Sequence, residues 1–187
     1  MRNLFKVLMA GLIAIPGSAA IEVPVSNEEQ TETIEAVEKT IGSNLNRTEK
    51  KVLDFFMKRG INDRMALAVL LGNIKQESLF VTNVCEGGAR VPYHHCHSGG
   101  FGLIQWTTQG RYDGLGRHAR NTGGDPSTLE TQLSYLVTEP EWLAIEHKFK
   151  KGGQSMSYYM NAAYYWLGWG IHGNRTHYSH HYYANMG

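Results

Sequence analysis

Apolar side chains recur at helical spacing from Thr48 onward, in the part of the chain that has the pattern of a folded domain. Over residues 48–59 they fit one broad helix face, and Gly60 stands where a glycine commonly ends a helix. Asn62 can cap a second helix. The buried side of that helix would consist of Met65, Ala66, Val69, Leu70 and Ile74. Glu77 follows three positions after the last of these, so the pattern places its carboxylate on or beside an apolar face.

The helical pattern stops over residues 84–102, where glycines, a proline, two cysteines and three histidines crowd together. This composition predicts turns or a small β-hairpin. A third helix is expected after Trp106, interrupted by three glycines, each of which disfavours a helix interior. These glycines are Gly110, Gly114 and Gly116.

Helical patterns return in the last third of the chain. Ser127 and Glu130 have the spacing of a capping box at the start of a leucine-striped helix. Pro140 suits the first turn of the next helix, an aromatic helix is predicted over residues 155–167, and a last short helix over residues 182–185. The pattern as a whole predicts a mainly α (α+β) fold, in which a helical lobe is accompanied by a small irregular or β lobe.

The N-terminal residues have the features of an export signal. Arg2 and Lys6 precede an apolar run that is too short to span a bilayer comfortably, and Ser18-Ala19-Ala20 supplies the small residues that a signal peptidase reads. An uncleaved membrane anchor or a buried N-terminal helix is the alternative. We therefore expect a signal peptide (residues 1–20), a polar linker or weakly helical lead-in (21–47) and one main domain (48–187).

The overall composition is that of an ordinary folded chain. Its 187 residues allow one domain with some terminal excess. Hydrophobic residues make up 42% and charged residues 19%, which permits a sizeable core. The formal net charge is only +1 and no run of lysines or arginines stands out, so the chain has no electrostatic footprint for nucleic acid. A polymer bound by this chain is expected to be neutral or weakly charged.

Cys85 and Cys96 lie eleven positions apart in the irregular segment. In an exported chain they most simply form one disulfide. Because His94, His95 and His97 crowd around Cys96, a metal site is an alternative, although structural zinc usually has two paired ligand clusters and Cys85 stands alone. Free thiols are the third possibility.

One carboxylate and one glycine-rich segment carry the candidate chemistry. Glu77 ends the apolar helix in the motif Gln76-Glu77-Ser78, and residues 98–106 read Ser-Gly-Gly-Phe-Gly-Leu-Ile-Gln-Trp. A packed helix can raise the pKa of a carboxyl group by desolvation. The glycines would let a sugar chain approach the backbone, while Gln105 and Trp106 offer hydrogen bonds and an apolar platform. The combination suits cleavage of a glycosidic bond.

These motifs resemble those of the phage tail lysozyme group in the lysozyme-like superfamily. The resemblance covers residues 48–140 well and the C-terminal quarter poorly, where residues 168–173 depart from the family pattern. Soluble lytic transglycosylases share the Glu-Ser and Gly-Leu-Ile-Gln pairs more distantly. The matching residues are Phe55-Phe56, Gly60, Gly72-Asn73, Gln76-Glu77-Ser78, Gly102-Leu103-Ile104-Gln105-Trp106, Arg111, Leu129, Gln132 and Leu133.

The resemblance implies a lysozyme-like fold with a substrate cleft between the two lobes, and cleavage of peptidoglycan strands without a cofactor. The family's glutamate maps onto Glu77, which would protonate the oxygen between two sugars as general acid. Gln105 would lie across the cleft, and Ser98 is a further candidate for sugar contact. Hydrolysis needs a second carboxylate, for which Glu86 is best placed and Asp113 next. Lytic transglycosylases need none, because the substrate's own 6-hydroxyl attacks.

Two other functions remain open from the sequence. A zinc-dependent cell-wall peptidase could be built on the Cys/His cluster, although the chain lacks a helical His-Glu-x-x-His motif. The other is a non-catalytic glycan-binding or structural phage-tail module. We expect an exported protein, periplasmic or extracellular, or one carried on a virion. Its partners would be peptidoglycan strands and, if it is carried on a virion, virion components. It would contact a membrane only through the export signal.

Overall fold

A computed structural model describes residues 44–97 and 99–186 of the chain. The predicted signal peptide, most of the predicted linker and Ser98 lie outside these residues. The elements, in chain order, are α1 (Arg47–Lys58), α2 (Arg64–Ser78), a 3-10 turn (Tyr93–His95), α3 (Gln109–Thr122), α4 (Leu129–Leu136), α5 (Pro140–Leu143), α6 (Glu146–Lys150), α7 (Met156–Leu167) and α8 (Arg175–Asn185). No helix in this part of the chain is long and apolar enough to cross a membrane.

Helix α1 begins with a capping box that the hydrophobic pattern does not reveal. Asn46 Oδ1 accepts hydrogen bonds from the backbone of Thr48 and Glu49 at 2.9 and 3.0 Å, and the Glu49 carboxylate accepts from the Asn46 backbone at 2.9 Å. At the other end, Gly60 has a φ of +85°, a conformation that glycine adopts at little cost. The predicted glycine stop is therefore confirmed.

Helix α2 is the central helix of the body, and most of its residues between Ala66 and Ile74 are completely buried. Its cap is Asp63 rather than the predicted Asn62. Asp63 is the last extended residue before the helix, and its two carboxylate oxygens accept from the backbone of Ala66 at 2.8 Å and of Gly153 at 2.7 Å. Asp63 therefore also ties the start of α2 to the loop before α7.

Among the described helices, α2 and α8 share the most extensive contact. A Cβ atom added to Gly72 in α2 would lie only 2.4–2.8 Å from the Oγ, N and Cα atoms of Ser179 in α8. Gly72 thus lets the two helices approach to backbone contact. Helix α8 begins at Arg175, well before the predicted short helix of residues 182–185, and this longer helix reaches the end of α2.

Helix α3 runs unbroken through the glycines that were expected to interrupt it. The role of Gly114 and Gly116 is steric. A Cβ atom on Gly114 would lie 2.1 Å from the hydroxyl of Tyr135, and one on Gly116 would lie 2.6 Å from the hydroxyl of Tyr93. The two glycines create room for tyrosines from α4 and from the irregular lobe, and this tertiary packing outweighs their low helix propensity.

The later helices agree with the predicted pattern in outline. Thr128 caps α4, not Ser127 as predicted, because Ser127 belongs to a turn in which its backbone N–H donates to Asp125 at 2.7 Å. Pro140 opens α5 as expected. The single helix predicted after it is divided at Ile145, whose φ of −122° departs from helical values, into α5 and α6. Helix α7 has the predicted position, with Ser155 as its cap.

The irregular lobe between α2 and α3 contains isolated β-bridges and a disulfide. The bridges join Val84 to Arg90 and Phe101 to both Cys85 and Trp106. The predicted disulfide is confirmed: Cys85 and Cys96 are bonded, with their Cα atoms 5.6 Å apart. The predicted mainly α architecture of a helical body with a small irregular lobe is likewise confirmed.

Candidate active site

Glu77 lies in the last turn of α2, where the helical body meets the irregular lobe. The hydroxyl of Ser78 donates to the backbone oxygen of Leu103 at 2.8 Å. This bond directly joins the two sequence motifs singled out above. Leu79 and Phe80 follow with φ values of 51° and 63°, so the chain turns sharply away through two left-handed residues that are not glycine. Such backbone strain is often found at functional sites.

A groove of about 500 Å³ runs along this junction. The end of α2 with Glu77 lines this groove, and residues 84–88 of the irregular lobe, including Glu86, line it as well. Gln105 and Gly100 also line the groove. The structure thus brings together Glu77, Glu86 and Gln105. Asp113, the other candidate for a second carboxylate, lines a neighbouring groove instead.

Arg175 forms an ion pair with Glu77 through Nη2 and Oε1. The Glu77 side chain is 14% exposed and the Arg175 side chain only 4%. The same guanidinium donates to the backbone oxygen of His172 at 3.1 Å and stacks over the ring of Trp169 at 4.5 Å. Its buried Nε has no hydrogen-bond acceptor among the described residues. Arg175 is therefore held in place on several sides while it faces the carboxylate.

Burial raises the pKa of the Glu77 carboxyl above its ordinary value of 4.5, and the positive charges of Arg175 and, more weakly, Arg111 partly oppose this rise. Burial also lowers the pKa of the Arg175 guanidinium, against the opposing effect of Glu77. For both partners the cost of losing water is thus the largest effect. A carboxyl whose pKa is raised in this way can carry a proton closer to neutral pH.

A second buried network holds Arg111 in place. Glu139 is 1% exposed, and it accepts two hydrogen bonds from Arg111, at 2.7 and 2.9 Å, and one from Trp106 Nε1 at 3.0 Å. Since Arg111 contributes to the electrostatic field at Glu77, this network also fixes a charge that acts on the candidate acid.

The position of Trp106 differs from the expected one. It is completely buried, with its ring 5.6 Å from that of Tyr135 and its indole N–H bonded to Glu139. The ring therefore offers no face to a sugar, and Trp106 has a structural role instead. The sequence misleads here because a tryptophan after a glycine-rich segment fits equally well in a groove or in the core.

Gln105 lines the groove with its amide partly engaged. Its Nε2 donates to the backbone oxygens of Gly102 at 2.9 Å and Val84 at 3.3 Å, which uses both amide hydrogens. Its φ of 54° is the third left-handed value at a residue other than glycine. The amide oxygen is then the atom of this side chain left for a ligand, and it suits an N–H donor.

Glu86 is exposed, and its carboxylate is bonded to the glycine-rich segment. Its carboxylate accepts from the backbone N–H of Gly100 at 3.2 Å. Gly99 makes room for it, because a Cβ atom there would lie 1.6 Å from Glu86 Oε2. The glycine-rich segment thus positions a carboxylate, which is a role that the sequence did not indicate.

The chain belongs to the phage tail lysozyme family. The model of that family matches residues 47–185, which cover nearly all of the described structure. Neither a comparison with curated proteins nor one with solved structures gave a match. Membership in this family indicates lysozyme-like activity on peptidoglycan. The match also includes the C-terminal quarter, in which the motif resemblance was weak, so α8 and its Arg175 belong to the family domain.

In this chain the Cys/His cluster does not assemble as a set of thiolate ligands, because Cys85 and Cys96 are joined to each other. The rings of His94 and His95 contact each other at 4.3 Å. Across residues 44–97 and 99–186, no group of three or more histidine, cysteine or acidic side chains has the arrangement of a metal site. Ser98, the other predicted sugar contact, lies outside the described residues.

Arg175 is the main residue of the site that the sequence analysis missed. A local signal was present, because Asn174 precedes it and asparagine is a frequent first residue before a helix. Asn174 is indeed the residue before α8, and its backbone N–H donates to Gln76 at 2.7 Å. Recognising this helix start would have placed a cation at the first position of α8, although not its contact with Glu77.

Proposed function

We propose that this member of the phage tail lysozyme family cleaves the glycan strands of peptidoglycan with Glu77 as the general acid. The observation that carries the proposal is a half-buried carboxyl of raised pKa, paired with Arg175, at the wall of the groove between the two lobes. In its protonated form Glu77 would donate a proton to the oxygen between two sugars as the bond breaks and positive charge develops on the sugar ring.

Gln105 would recognise the substrate rather than take part in the chemistry. Because its Nε2 is bonded to two backbone oxygens, its Oε1 would accept a hydrogen bond from the N–H of an acetamido group on the sugar. Such a bond would orient the strand across the groove. The proposal gives Trp106 no substrate contact, since its ring is completely buried.

Glu86 decides between two forms of the reaction. As a second carboxylate across the groove, it would activate water or attack the sugar, and the product would be a reducing sugar. Without its participation, the 6-hydroxyl of the substrate would attack and the product would be a 1,6-anhydro sugar. Glu86 is exposed and its carboxylate accepts a hydrogen bond from the Gly100 N–H, so it is accessible from the groove, and we therefore propose hydrolysis as the main reaction.

The test is digestion of purified peptidoglycan, followed by mass spectrometry of the fragments. We expect Glu77→Gln to lower the rate about a thousandfold, in the range typical of general acids. The control Glu130→Gln changes an exposed carboxylate whose side chain is 70% exposed, and should leave the rate unchanged. Glu86→Gln should lower the yield of reducing ends. Fragments lighter by one water in the wild type would identify the transglycosylase reaction instead.

The same digest separates the alternative functions. Release of free amino groups that is blocked by a chelator would indicate a zinc peptidase. Binding to cell walls without any fragments would indicate a non-catalytic module. We further propose that residues 1–20 direct export, as an alternative to delivery on a virion, and N-terminal sequencing of the secreted chain tests this directly. A mature N-terminus at Ile21 is the expected result.

A further inference from the structure

A second groove adjoins that of Glu77. It has a volume of about 460 Å³ and shares Thr107 with the first groove. Gly99 lines the second groove, while the next residue, Gly100, lines the first. The disulfide also lies between them, because Cys85 lines the first groove and Cys96 the second. A substituent on a strand that lies in the first groove can reach the second one.

The second groove carries two opposite charges on one helix. Asp113 and Arg120 both belong to α3 and both line it. Among the ion pairs of residues 44–97 and 99–186, none includes either side chain. Asp113 is bonded only to the neutral amide of Gln109, at 2.8 Å, and Arg120 is exposed. Both charges are thus available to a ligand.

The spacing of these charges defines the ligand. Seven positions on a helix are two turns, so Asp113 and Arg120 share a face and lie about 10.5 Å apart along the axis. An extended peptide advances about 3.4 Å per residue, so about three residues span this distance. The ligand that fits is a short peptide with a free amine near one end and a carboxylate near the other.

The described residues that line the first groove include no cationic side chain for such a ligand's carboxylate. The acidic side chains that line it are Glu86 and Glu77, which is already paired with Arg175. The second groove instead offers Arg120 together with the exposed imidazoles of His94 and His97. A strand whose sugars lie in the first groove would therefore place its charged peptide substituents in the second one.

Resting on the proposed function, we infer that the second groove binds the peptide stem of the peptidoglycan strand. Arg120 pairs with a carboxylate of the stem, and Asp113 pairs with the free amine of its diamino acid. The two grooves together would bind a strand whose stems keep this free amine, which the acceptor stem of a cross-link has lost. The groove of Glu77 alone would bind only the sugars of the strand.

The experiment compares soluble glycan strands of matched length with and without stems, the latter prepared with an amidase. Binding is measured by calorimetry in the Glu77→Gln background, so that no strand is cleaved. We expect Arg120→Gln to raise the Kd for stem-bearing strands about tenfold, which corresponds to about 1.4 kcal/mol, and the Kd for stem-free strands less than about twofold. Arg117→Gln is the matched control, because Arg117 is exposed on the same helix and lines neither groove.

Acetylation of the stem amine tests the second contact. Asp113→Asn should weaken binding of stem-bearing strands, and this effect should disappear when the amine is acetylated. The inference would be overturned if Arg120→Gln and Asp113→Asn lost equal affinity for stem-bearing and stem-free strands, or lost no affinity for either. Cleavage by the wild type is assayed separately. A chain that discriminates stems in binding but cleaves no strand refutes the proposed function and leaves the stem site standing.

Discussion

Arg175, the first residue of α8, pairs with Glu77 in the last turn of α2, although 98 positions separate them in the sequence. The pair depends on the close packing of these two helices. It adjusts the same property that makes Glu77 a candidate acid, because burial raises the pKa of the carboxyl and the arginine partly opposes that rise. The protonation of Glu77 is therefore set by the contact between two distant segments.

Removing the charge of Arg175 should move the pH dependence of cleavage. The active form of a general acid is protonated, so the alkaline limb of the kcat/KM profile follows the pKa of Glu77. Without the cation that lowers this pKa, the pKa rises further, and Arg175→Gln should shift the alkaline limb to higher pH. Arg111, the other cation that acts on Glu77, stays in place. The measurement is a kcat/KM profile from pH 4 to about 9, a range chosen to bracket the ordinary values of carboxyl and imidazole groups.

Arg175→Lys is the matched control, because it keeps the positive charge. The alkaline limb of the Arg175→Lys profile should stay close to that of the wild type, even if the shorter lysine side chain lowers the rate. A thermal melt of each variant shows whether the fold is retained. An Arg175→Gln limb that is unchanged or shifted to lower pH would contradict the role given to this ion pair.

Glu77 should also make stability depend on pH. Its pKa in the folded protein is raised above the ordinary value of 4.5, so the folded state binds the proton more tightly than the unfolded state. This contribution to stability is fully present below pH 4.5 and is lost as the pH rises through the folded pKa. The free energy of unfolding of the wild type, minus that of Glu77→Gln, should therefore decrease with rising pH over this window. Urea titrations at several pH values measure this difference in unfolding free energy. If the difference instead increased with rising pH, the ion pair with Arg175 would affect the Glu77 pKa more strongly than burial does.

The buried carboxylate of Glu139 should be essential for the stability of the domain. Glu139→Gln removes the charge that compensates Arg111, whose side chain is only 16% exposed, and loss of one partner of a buried ion pair typically costs about 3–5 kcal/mol. Glu130→Gln breaks the exposed pair with Lys51 and should cost less than about 1 kcal/mol. Chemical denaturation measures both. Similar losses in the two variants would show that burial of the Glu139 network contributes little.

Local pattern was a good guide to helices and to Glu77, and a poor guide to contacts between distant segments. Glu77 follows Ile74 by three positions, and residues at this spacing lie on the same side of a helix. Because Ile74 belongs to the apolar face, the pattern places Glu77 at the edge of the core. Nothing in the spacing records that Trp106 donates to Glu139, or that Arg175 reaches Glu77. These contacts arise because separate helices pack side by side, and a hydrophobic pattern states only that a face is buried, not against what.

Gly72 offers a test of how far the site depends on helix packing. A methyl group at this position would meet both backbone and side-chain atoms of Ser179 at 2.4–2.8 Å, so a rotation of the serine cannot relieve the clash. We expect Gly72→Ala to push α8 away from α2 and to destabilise the fold by about 1–3 kcal/mol, as overpacking of a core does. Because Arg175 is the first residue of α8, the same displacement should weaken its pairing with Glu77. The alkaline limb of the kcat/KM profile should then move in the same direction as in Arg175→Gln.

Gly110→Ala in α3 is the control. Its added methyl group meets nothing within 4 Å, and alanine should stabilise α3 by about 0.5–1 kcal/mol. A Gly72→Ala variant as stable as the wild type, with an unchanged pH profile, would show that α8 can adjust without moving Arg175.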